Sequence, residues 1–127
     1  MYIDSRVISN YEIDKDYGRI SLEAPEIAAI ALPGQFVMMK YWQDLTPFFM
    51  RPFSINSEDT KSGTIEILYK VVGEGTAILK KLQNGEKVQI LGPLGNSFPL
   101  KDNFKRIAII GRGVGAAPMR FLSEYAR

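Results

Sequence analysis

The stretch TIEILYKVVGEGTAILKKL, residues 64–82, indicates the fold of this chain more clearly than any other part of the sequence. Its first segment, Thr64–Val72, is rich in β-branched and aromatic residues that alternate with polar ones, which predicts a strand. Two glycines then break the strand, and the apolar spacing of Thr76–Leu82 predicts a short helix. A glycine-rich turn that leads into a helix brings free backbone N–H groups together, and such groups bind anions well.

Segments on both sides of this stretch have a similar character, so most of the chain before residue 95 is predicted to be β. Asp16–Gly18 is predicted to be the turn of a hairpin, and Ser57–Gly63 a polar turn between two further strands. Ala24–Ala31 is predicted to be a short helical or irregular link, and Gln43–Met50 a loop. The remaining predicted strands are Tyr2–Ile13, Arg19–Glu23, Gln35–Trp42, Arg51–Asn56 and Lys87–Leu91.

The character of the sequence changes near residue 105. Arg106–Ile110 is a nearly continuous apolar run, which is typical of a buried parallel strand. A glycine-rich turn, Gly111–Gly115, follows this run, and Ala116–Tyr125 then has a helical pattern. A strand, a glycine turn and a helix are the usual opening of a nucleotide-binding α/β domain. The 23 residues from Lys105 to Arg127 are too few to complete such a domain.

The sequence contains no cysteine and no histidine. The absence of cysteine excludes disulfides, thiol catalysis and any iron–sulfur cluster bound by these residues, and we expect no metal site. Without histidine, there is no Ser-His-Asp triad and no side chain whose ordinary pKa lies near neutrality. If the chain is an enzyme, a cofactor is therefore expected to supply the chemistry.

The charge balance and the uncharged stretches exclude other classes. The net charge is +2, from 16 basic and 14 acidic residues mixed along the chain, which disfavours a nucleic-acid-binding barrel. The longest uncharged stretches, Ile27–Met39 and Val88–Leu100, have 13 residues each, and neither is expected to span a bilayer. The first 20 residues lack the apolar segment of a signal peptide. We therefore expect a cytoplasmic protein with no membrane partner.

Two predicted strands offer groups suited to a flat, phosphorylated cofactor. In Arg51–Ser54 (RPFS), the arginine offers donors to a phosphate, the phenylalanine can cover a flat ring, and the serine offers a hydroxyl. The alternative is that Phe53 belongs to the core and Arg51 is a solvated edge residue. In Leu68–Lys70 (LYK), successive side chains point to opposite faces, and Tyr69 on its own is more often a core residue than a cofactor contact.

Two glycine-rich turns offer backbone groups to a phosphate. Gly73, Gly75 and Thr76 lie where the predicted helix begins, and glycine lets an anion approach a helix N-terminus closely. Gly111–Gly115 has the spacing G-x-G-x-G rather than the G-x-G-x-x-G of the dinucleotide-binding turn, and Arg112 adds a bulky cation. Taken singly, each turn is more simply explained as an ordinary connection between a strand and a helix.

Taken together and in this order, these segments resemble the ferredoxin–NADP reductase superfamily over essentially the whole chain. Within it they are most similar to the electron-transfer subunits of dihydroorotate dehydrogenase and their relatives, which include small subunits of sulfide dehydrogenase and ferredoxin:NADP oxidoreductase. The resemblance implies an all-β fold, a six-stranded antiparallel FAD-binding β-barrel with one short helix over residues 1–102. The first strand and helix of an incomplete α/β NAD(P)-binding domain would follow over residues 103–127. The motifs that carry the resemblance are RPFS (51–54), LYK (68–70), GEGT (73–76), GPLGNSF (92–98) and GRGVGAAP (111–118).

The resemblance implies that FAD is the cofactor and that the complete protein also binds NAD(P). Arg51 would bind the FAD phosphates, Phe53 would lie against the isoalloxazine ring, and Ser54 would lie near its reactive N5 atom. The start of the predicted helix would bind the pyrophosphate, and Gly111–Gly115 would form the nicotinamide nucleotide turn. Arg112 departs from the family pattern, which commonly has a small residue there. The implied cofactor-binding residues are Arg51, Pro52, Phe53, Ser54, Leu68, Tyr69, Lys70, Gly73, Gly75, Thr76, Gly111, Gly113 and Gly115.

The resemblance also implies an electron-transfer function, with no catalytic acid or base in the chain. NAD(P)H would deliver a hydride to the flavin, and electrons would pass singly to an iron–sulfur centre or a partner oxidoreductase subunit, with a role in pyrimidine biosynthesis. The cluster would come from residues or subunits outside this sequence, and the incomplete nicotinamide site predicts slow reduction by NAD(P)H. The alternatives are a ferredoxin-, flavodoxin- or sulfide-linked reductase of the same superfamily and a flavin-free β-barrel interaction module. The expected partner is a catalytic dehydrogenase or electron-acceptor subunit. We also expect the apolar C-terminal segment either to pack on the barrel or to pair with a second copy as a homodimer.

Overall fold

Six antiparallel strands close into a barrel in the computed structural model, which describes residues 1–43 and 49–127. Their order around the barrel is first, second, fifth, fourth, third, sixth, so the predicted six-stranded antiparallel barrel is confirmed. Closure removes the open edges at which a flat sheet would pair with other chains. The strands are β1 (Tyr2–Glu12), β2 (Tyr17–Glu23), β3 (Phe36–Lys40), β4 (Arg51–Asp59), β5 (Thr64–Lys70) and β6 (Lys87–Leu94).

Three short helices accompany the barrel within the described ranges. They are α1 (Pro25–Ala28), α2 (Glu74–Lys81), which joins β5 to β6, and α3 (Ala117–Tyr125). A single turn of 3-10 helix, Gly113–Ala116, leads directly into α3. Within residues 1–43 and 49–127, every helix is too short or too polar to cross a membrane.

Alternate residues of the strands point inward and fill the barrel. On β5, Ile65 and Ile67 are fully buried, and on the neighbouring β2 their register partners Leu22 and Ile20 are fully buried too. This period of two is the pattern that predicted the strands from the sequence. Burying side chains of this size contributes about 1.5–3 kcal/mol each to folding.

One contact inside the barrel places the ring of Tyr69 against Gly18, its register partner on β2. A Cβ atom on Gly18 would lie 2.2 Å from the Tyr69 hydroxyl oxygen, so a larger residue has no room. The hydroxyl donates to Asn10 Oδ1 at 2.9 Å, and burial raises its pKa, which keeps it protonated. The Asn10 amide in turn donates to the carbonyls of Leu79 and Leu82, at 2.9 and 3.1 Å. These contacts tie three strands to the C-terminal end of α2.

The observed strands begin and end within about three residues of the predicted ones, and the differences have a structural cause. Gly18 belongs to β2 rather than to the predicted turn. β4 continues to Asp59, into the predicted polar turn, because it remains paired with β5. α1 forms within the predicted helical or irregular link Ala24–Ala31, so the barrel domain has two short helices where the resemblance implied one. The loop predicted at Gln43–Met50 includes residues 44–48, which lie outside the described residues.

The strand predicted at Arg106–Ile110 is wrong. The segment has no regular secondary structure, and Ile107 and Ile110 are 40% and 89% exposed. A strand forms only where a neighbouring strand satisfies its backbone groups, and no strand among the described residues pairs with this segment.

The predicted C-terminal helix is confirmed as α3, and it packs on the outer face of β4. Ala117, Phe121 and Leu122 are buried in this contact, each at 8% exposure or less. Of the two arrangements expected for the apolar C-terminal segment, packing on the barrel is the one that this helix adopts. Pairing with a second copy stays a prediction.

Candidate functional site

A cleft of about 460 Å³ lies on the outer surface of the barrel, between β4, the end of β5, the start of α2 and the 3-10 turn before α3. Most of the residues predicted from the sequence to bind a cofactor meet around it, although they come from distant parts of the chain. Four further residues, Val72, Val114, Ala117 and Pro118, were not predicted. The predicted residues that line the cleft are Arg51, Pro52, Phe53, Ser54, Leu68, Tyr69, Lys70, Thr76 and Gly115.

The floor of the cleft is formed by the first residues of β4 and the last residues of β5. Phe53 is half-buried and packs against the core, and it also lines the cleft, so the two explanations for this residue are compatible. The floor is largely apolar and is therefore suited to a flat aromatic ring.

Tyr69 and Lys70 contribute to the cleft in different ways. The Tyr69 side chain points into the barrel, where its hydroxyl reaches Asn10, and the whole residue is 1% exposed, so its ring is a core group rather than a free surface of the cleft. Lys70 points to the opposite face, and its ammonium nitrogen lies 5.6 Å from the centre of the Tyr17 ring. This cation–π contact orients the Lys70 side chain beside the cleft.

The start of α2 forms an anion-binding turn at one end of the cleft. Gly73 is the N-cap of the helix, and the Thr76 hydroxyl oxygen accepts hydrogen bonds from the N–H groups of Val72 and Gly73, at 2.8 and 3.2 Å. Thr76 thus caps the helix from inside its first turn. The first N–H groups of any helix have no partner within it, so they are directed toward a ligand at this end.

Arg51 lies beside this turn and completes the cationic end of the cleft. A Cβ atom on Gly75 would lie 3.3 Å from Arg51 Nε, so glycine allows the guanidinium group and the helix to approach closely. Arg51 also donates a hydrogen bond to the carbonyl of Phe49 at 3.1 Å, which orients its side chain. A guanidinium group next to a helix N-terminus is well suited to a phosphate.

Tyr41 supports the same turn from beneath, and sequence reasoning missed it. Its hydroxyl donates to the carbonyl oxygen of Gly75 at 2.8 Å, and this hydrogen bond is buried. Burial raises the pKa of the hydroxyl well above its ordinary value, although the nearby Arg51 guanidinium opposes the shift, so the hydroxyl stays protonated and donates. Tyr41 belonged to the apolar segment Gln35–Trp42, and nothing in that pattern indicates a contact 34 residues away.

The other predicted glycines lie at the margins of the cleft. Gly73 precedes α2, while Gly111 and Gly113 belong to the turn before α3. Gly113 has a φ of 57°, which favours glycine, and a Cβ atom there would lie 3.5 Å from the Tyr17 hydroxyl. Gly113 therefore lies close to Tyr17 at the start of β2, while the end of the turn, Val114 and Gly115, borders the cleft.

A larger cavity of about 820 Å³ lies near the C-terminal end of α2 and the strands β1, β3 and β6. Its lining mixes both charge signs, with Asp4 and Glu86 beside Lys40 and Lys87, and it includes none of the predicted cofactor-binding residues. The smaller cleft is therefore the better candidate, because its aromatic floor, cations and helix N-terminus are together what a nucleotide cofactor needs.

A closed antiparallel barrel with an apolar outer cleft and an anion-binding helix start defines a class of domain that binds a nucleotide cofactor on its surface. The chain belongs to the oxidoreductase FAD-binding domain family, which it matches over residues 4–98. FAD is accordingly its cofactor.

The most similar relatives include electron-transfer subunits of dihydroorotate dehydrogenase B (NAD(+)). The chain is 36% identical to that of Desulforamulus reducens over 121 residues, 95% of this chain and 46% of the relative. It is 37% identical to that of Clostridium acetobutylicum over 124 residues, 97% of this chain and 48% of the relative. The chain thus spans about half the length of these curated relatives.

Among solved structures, the chain is similar to an NADH-dependent reduced ferredoxin-NADP oxidoreductase studied for flavin-based electron bifurcation. The TM-score is 0.82 and the identity 25%, over 91% of this chain and 41% of that one. This similarity confirms the barrel fold that the sequence predicted.

Proposed function

We propose that this chain is the flavin domain of an electron-transfer subunit, which binds FAD in the cleft and relays electrons from NAD(P)H to a partner. The observation that carries the proposal is that three segments predicted to contact FAD surround one cleft, together with the end of the predicted nicotinamide nucleotide turn. When bound, FAD supplies a ring that accepts a hydride and passes electrons on.

The residues of the cleft fit FAD at both of its ends. Arg51 and the N–H groups at the start of α2 would bind the pyrophosphate, and Gly75 leaves them room, since a side chain there would press against Arg51. Phe53 and the other apolar floor residues would exclude water from one side of the flavin ring. Ser54, also in the floor, would offer a hydrogen bond to the ring nitrogen N5.

We propose further that residues 103–127 begin an NAD(P)-binding domain whose remainder is not in this sequence. The turn Gly111–Gly115 and the start of α3 lie beside the same cleft, and a nicotinamide must reach the flavin there. An iron–sulfur cluster would come from residues or subunits beyond this chain, which has neither cysteine nor histidine.

The names of the relatives support a catalytic dehydrogenase subunit as the partner. Because those proteins are electron-transfer subunits of a dihydroorotate dehydrogenase, we propose that the complete protein delivers or receives electrons through a catalytic dehydrogenase subunit, in pyrimidine biosynthesis. A ferredoxin-linked reductase is the second candidate, supported by the similarity to the ferredoxin-NADP oxidoreductase structure. The two are distinguished by which acceptor, a dehydrogenase subunit or ferredoxin, is reduced by the complete protein.

FAD binding by the purified chain tests the central part of the proposal. We expect a visible flavin absorption spectrum, and chromatography of the released chromophore should identify FAD at about one molecule per chain. An excess of FAD added to the flavin-free chain should be taken up with quenching of its fluorescence. A folded chain that retains no FAD and takes none up would support a flavin-free interaction module instead.

Replacing Tyr41 with phenylalanine should weaken FAD binding while the chain stays folded. The substitution keeps the ring but removes the second donor to the Gly75 carbonyl, which still accepts the helical N–H of Leu79, so it should cost about 0.5–1.5 kcal/mol. Part of this loss should fall on FAD affinity, because Gly75 belongs to the turn that binds the pyrophosphate. Thermal unfolding and FAD titration measure the two effects.

Tyr17→Phe is the matched control, since the Tyr17 ring contacts Lys70 rather than the turn at Gly75. An FAD affinity in Tyr41→Phe equal to that of the control would contradict a role for Tyr41 at the pyrophosphate turn.

A further inference from the structure

Asn56 on β4 is a buried polar residue that the roles assigned above do not use. The residue is 5% exposed, and its side chain reaches the first residue of α3. The amide nitrogen Nδ2 donates to the carbonyl oxygen of Ala117 at 2.6 Å, across 61 residues of sequence. Buried polar groups of this kind are rarely left unpaired, because losing the partner of a buried carbonyl is unfavourable.

This hydrogen bond joins two sides of the cleft. Ala117 is the first residue of α3, and with Val114, Gly115 and Pro118 it forms the wall of the cleft opposite the strands. On β4, Ile55 points into the core, so its neighbours Ser54 and Asn56 are directed outward. Ser54 belongs to the floor of the cleft, and Asn56 therefore connects the strand of the floor directly to the wall.

The far end of α3 is attached to the barrel independently of Asn56. Phe121 and Leu122 are buried, and Arg120 forms an ion pair with Glu66 on β5, with 2.5 Å between Nη1 and Oε2. Glu66 also accepts a hydrogen bond from the Ser57 hydroxyl at 2.9 Å. Without Asn56 the helix would therefore stay docked, while its N-terminal end, next to the cleft, would lose its polar attachment to β4.

We propose that Asn56 is a positioning residue for the FAD cleft: its hydrogen bond to Ala117 fixes the distance between the α3 wall and the β4 floor. The proposal deepens the FAD-binding function and rests on it for its consequence on the cofactor. The position of the wall itself is a property of the flavin-free chain, and it is measured without FAD. Asn56 acts through Ala117 rather than through a contact with the cofactor.

The test compares Asn56→Asp and Asn56→Ala with Ser57→Ala in the full 127-residue chain. Asn56→Asp has nearly the same shape but replaces the donor with a carboxylate that faces the Ala117 carbonyl, and Asn56→Ala removes the donor without adding charge. Ser57→Ala is the matched control, because Ser57 has the same 5% exposure and its hydrogen bond goes to Glu66 instead of the wall.

Three measurements separate an effect on the wall from an effect on general stability. In the flavin-free chain, the Gly115 and Ala117 amides donate to the carbonyls of Arg112 and Val114, and their hydrogen exchange should be about tenfold faster in both Asn56 variants, with little change at residues 121–125. FAD should bind about tenfold more weakly to them, and iodide should quench the bound flavin more readily. Ser57→Ala should stay within about twofold of the unaltered chain in all three measurements.

Unchanged exchange at the wall in a folded Asn56→Ala chain would overturn the proposal, whatever happens to FAD. If FAD affinity fell equally in the Asn56 variants and in Ser57→Ala, the proposal would also be overturned, because the effect would then come from lower stability alone. If the unaltered chain binds no FAD, the proposed function fails separately, and the exchange measurement still decides the role of Asn56 at the wall. If Asn56→Asp does not fold, the exchange and FAD measurements on Asn56→Ala are enough to test the proposal.

Discussion

Replacing Gly18 with alanine should lower the free energy of unfolding by about 2–4 kcal/mol, because the new methyl group overpacks the core and displaces a hydrogen-bonded ring. The added Cβ atom would lie 2.2 Å from the Tyr69 hydroxyl oxygen and 2.3 Å from the ring carbon that bears it. Both distances are far inside van der Waals contact, so the Tyr69 ring has to move. Its movement breaks the hydrogen bond to Asn10, and with it the attachment of Asn10 to the end of α2. Chemical denaturation of the two chains measures the loss.

Two further variants separate the effect of the clash with Tyr69 from the effect on stability that any glycine-to-alanine replacement has. Gly115→Ala is the control, because no atom lies within 4 Å of the position where its Cβ would be and its φ is not positive. It should change stability by less than about 0.5 kcal/mol. Adding Gly18→Ala to a Tyr69→Ala chain should cost much less than it does in the unaltered chain, since the clashing ring is already gone. Equal costs in the two backgrounds would mean that the contact with Tyr69 is not the cause.

Gly18 also illustrates why the sequence predicted the barrel but not its internal contacts. Alternation along β2 and β5 is a local property, and it predicted both strands correctly. The register that places Gly18 opposite Tyr69 depends on two segments that are about 50 residues apart, and nothing local indicates it. A glycine between a tyrosine and an arginine was therefore assigned to a turn, whereas it lies within β2 to make room for a ring.

The candidate site likewise has parts that the sequence predicted and parts that it did not. Its floor was predicted because Arg51–Ser54 and Leu68–Lys70 are continuous motifs with a recognisable order. Of its wall only Gly115 was predicted, and its support was missed, because Ala117 and Tyr41 act through single hydrogen bonds to residues far away in sequence. The wrongly predicted strand at Arg106–Ile110 has a related cause: an apolar run predicts burial, but pairing depends on a partner strand, and no described strand lies beside it.

Replacing Arg51 with alanine should weaken FAD binding by about ten- to a hundredfold, as expected for the loss of charge-assisted hydrogen bonds to a phosphate. Arg51 lies beside Gly75, at the start of α2, so its guanidinium group and the helix N–H groups would act on the same anion. Removing the cation leaves the helix N-terminus, which explains why some affinity should remain. Titration of the flavin-free chain with FAD, followed by flavin fluorescence, measures the change.

Comparison with two other variants shows whether geometry or charge is responsible. Lys81→Ala removes the same charge from the exposed C-terminal end of α2, and it should leave FAD affinity within about twofold. Arg51→Lys should fall between the unaltered chain and Arg51→Ala, since an ammonium group keeps the charge but loses the planar pair of donors. Equal weakening by Arg51→Ala and Lys81→Ala would indicate that only the net charge matters. Full affinity in Arg51→Ala would mean that the phosphates bind elsewhere. Since the Arg51 side chain lies close against Gly75 at the helix start, we expect the affinity to follow the guanidinium group.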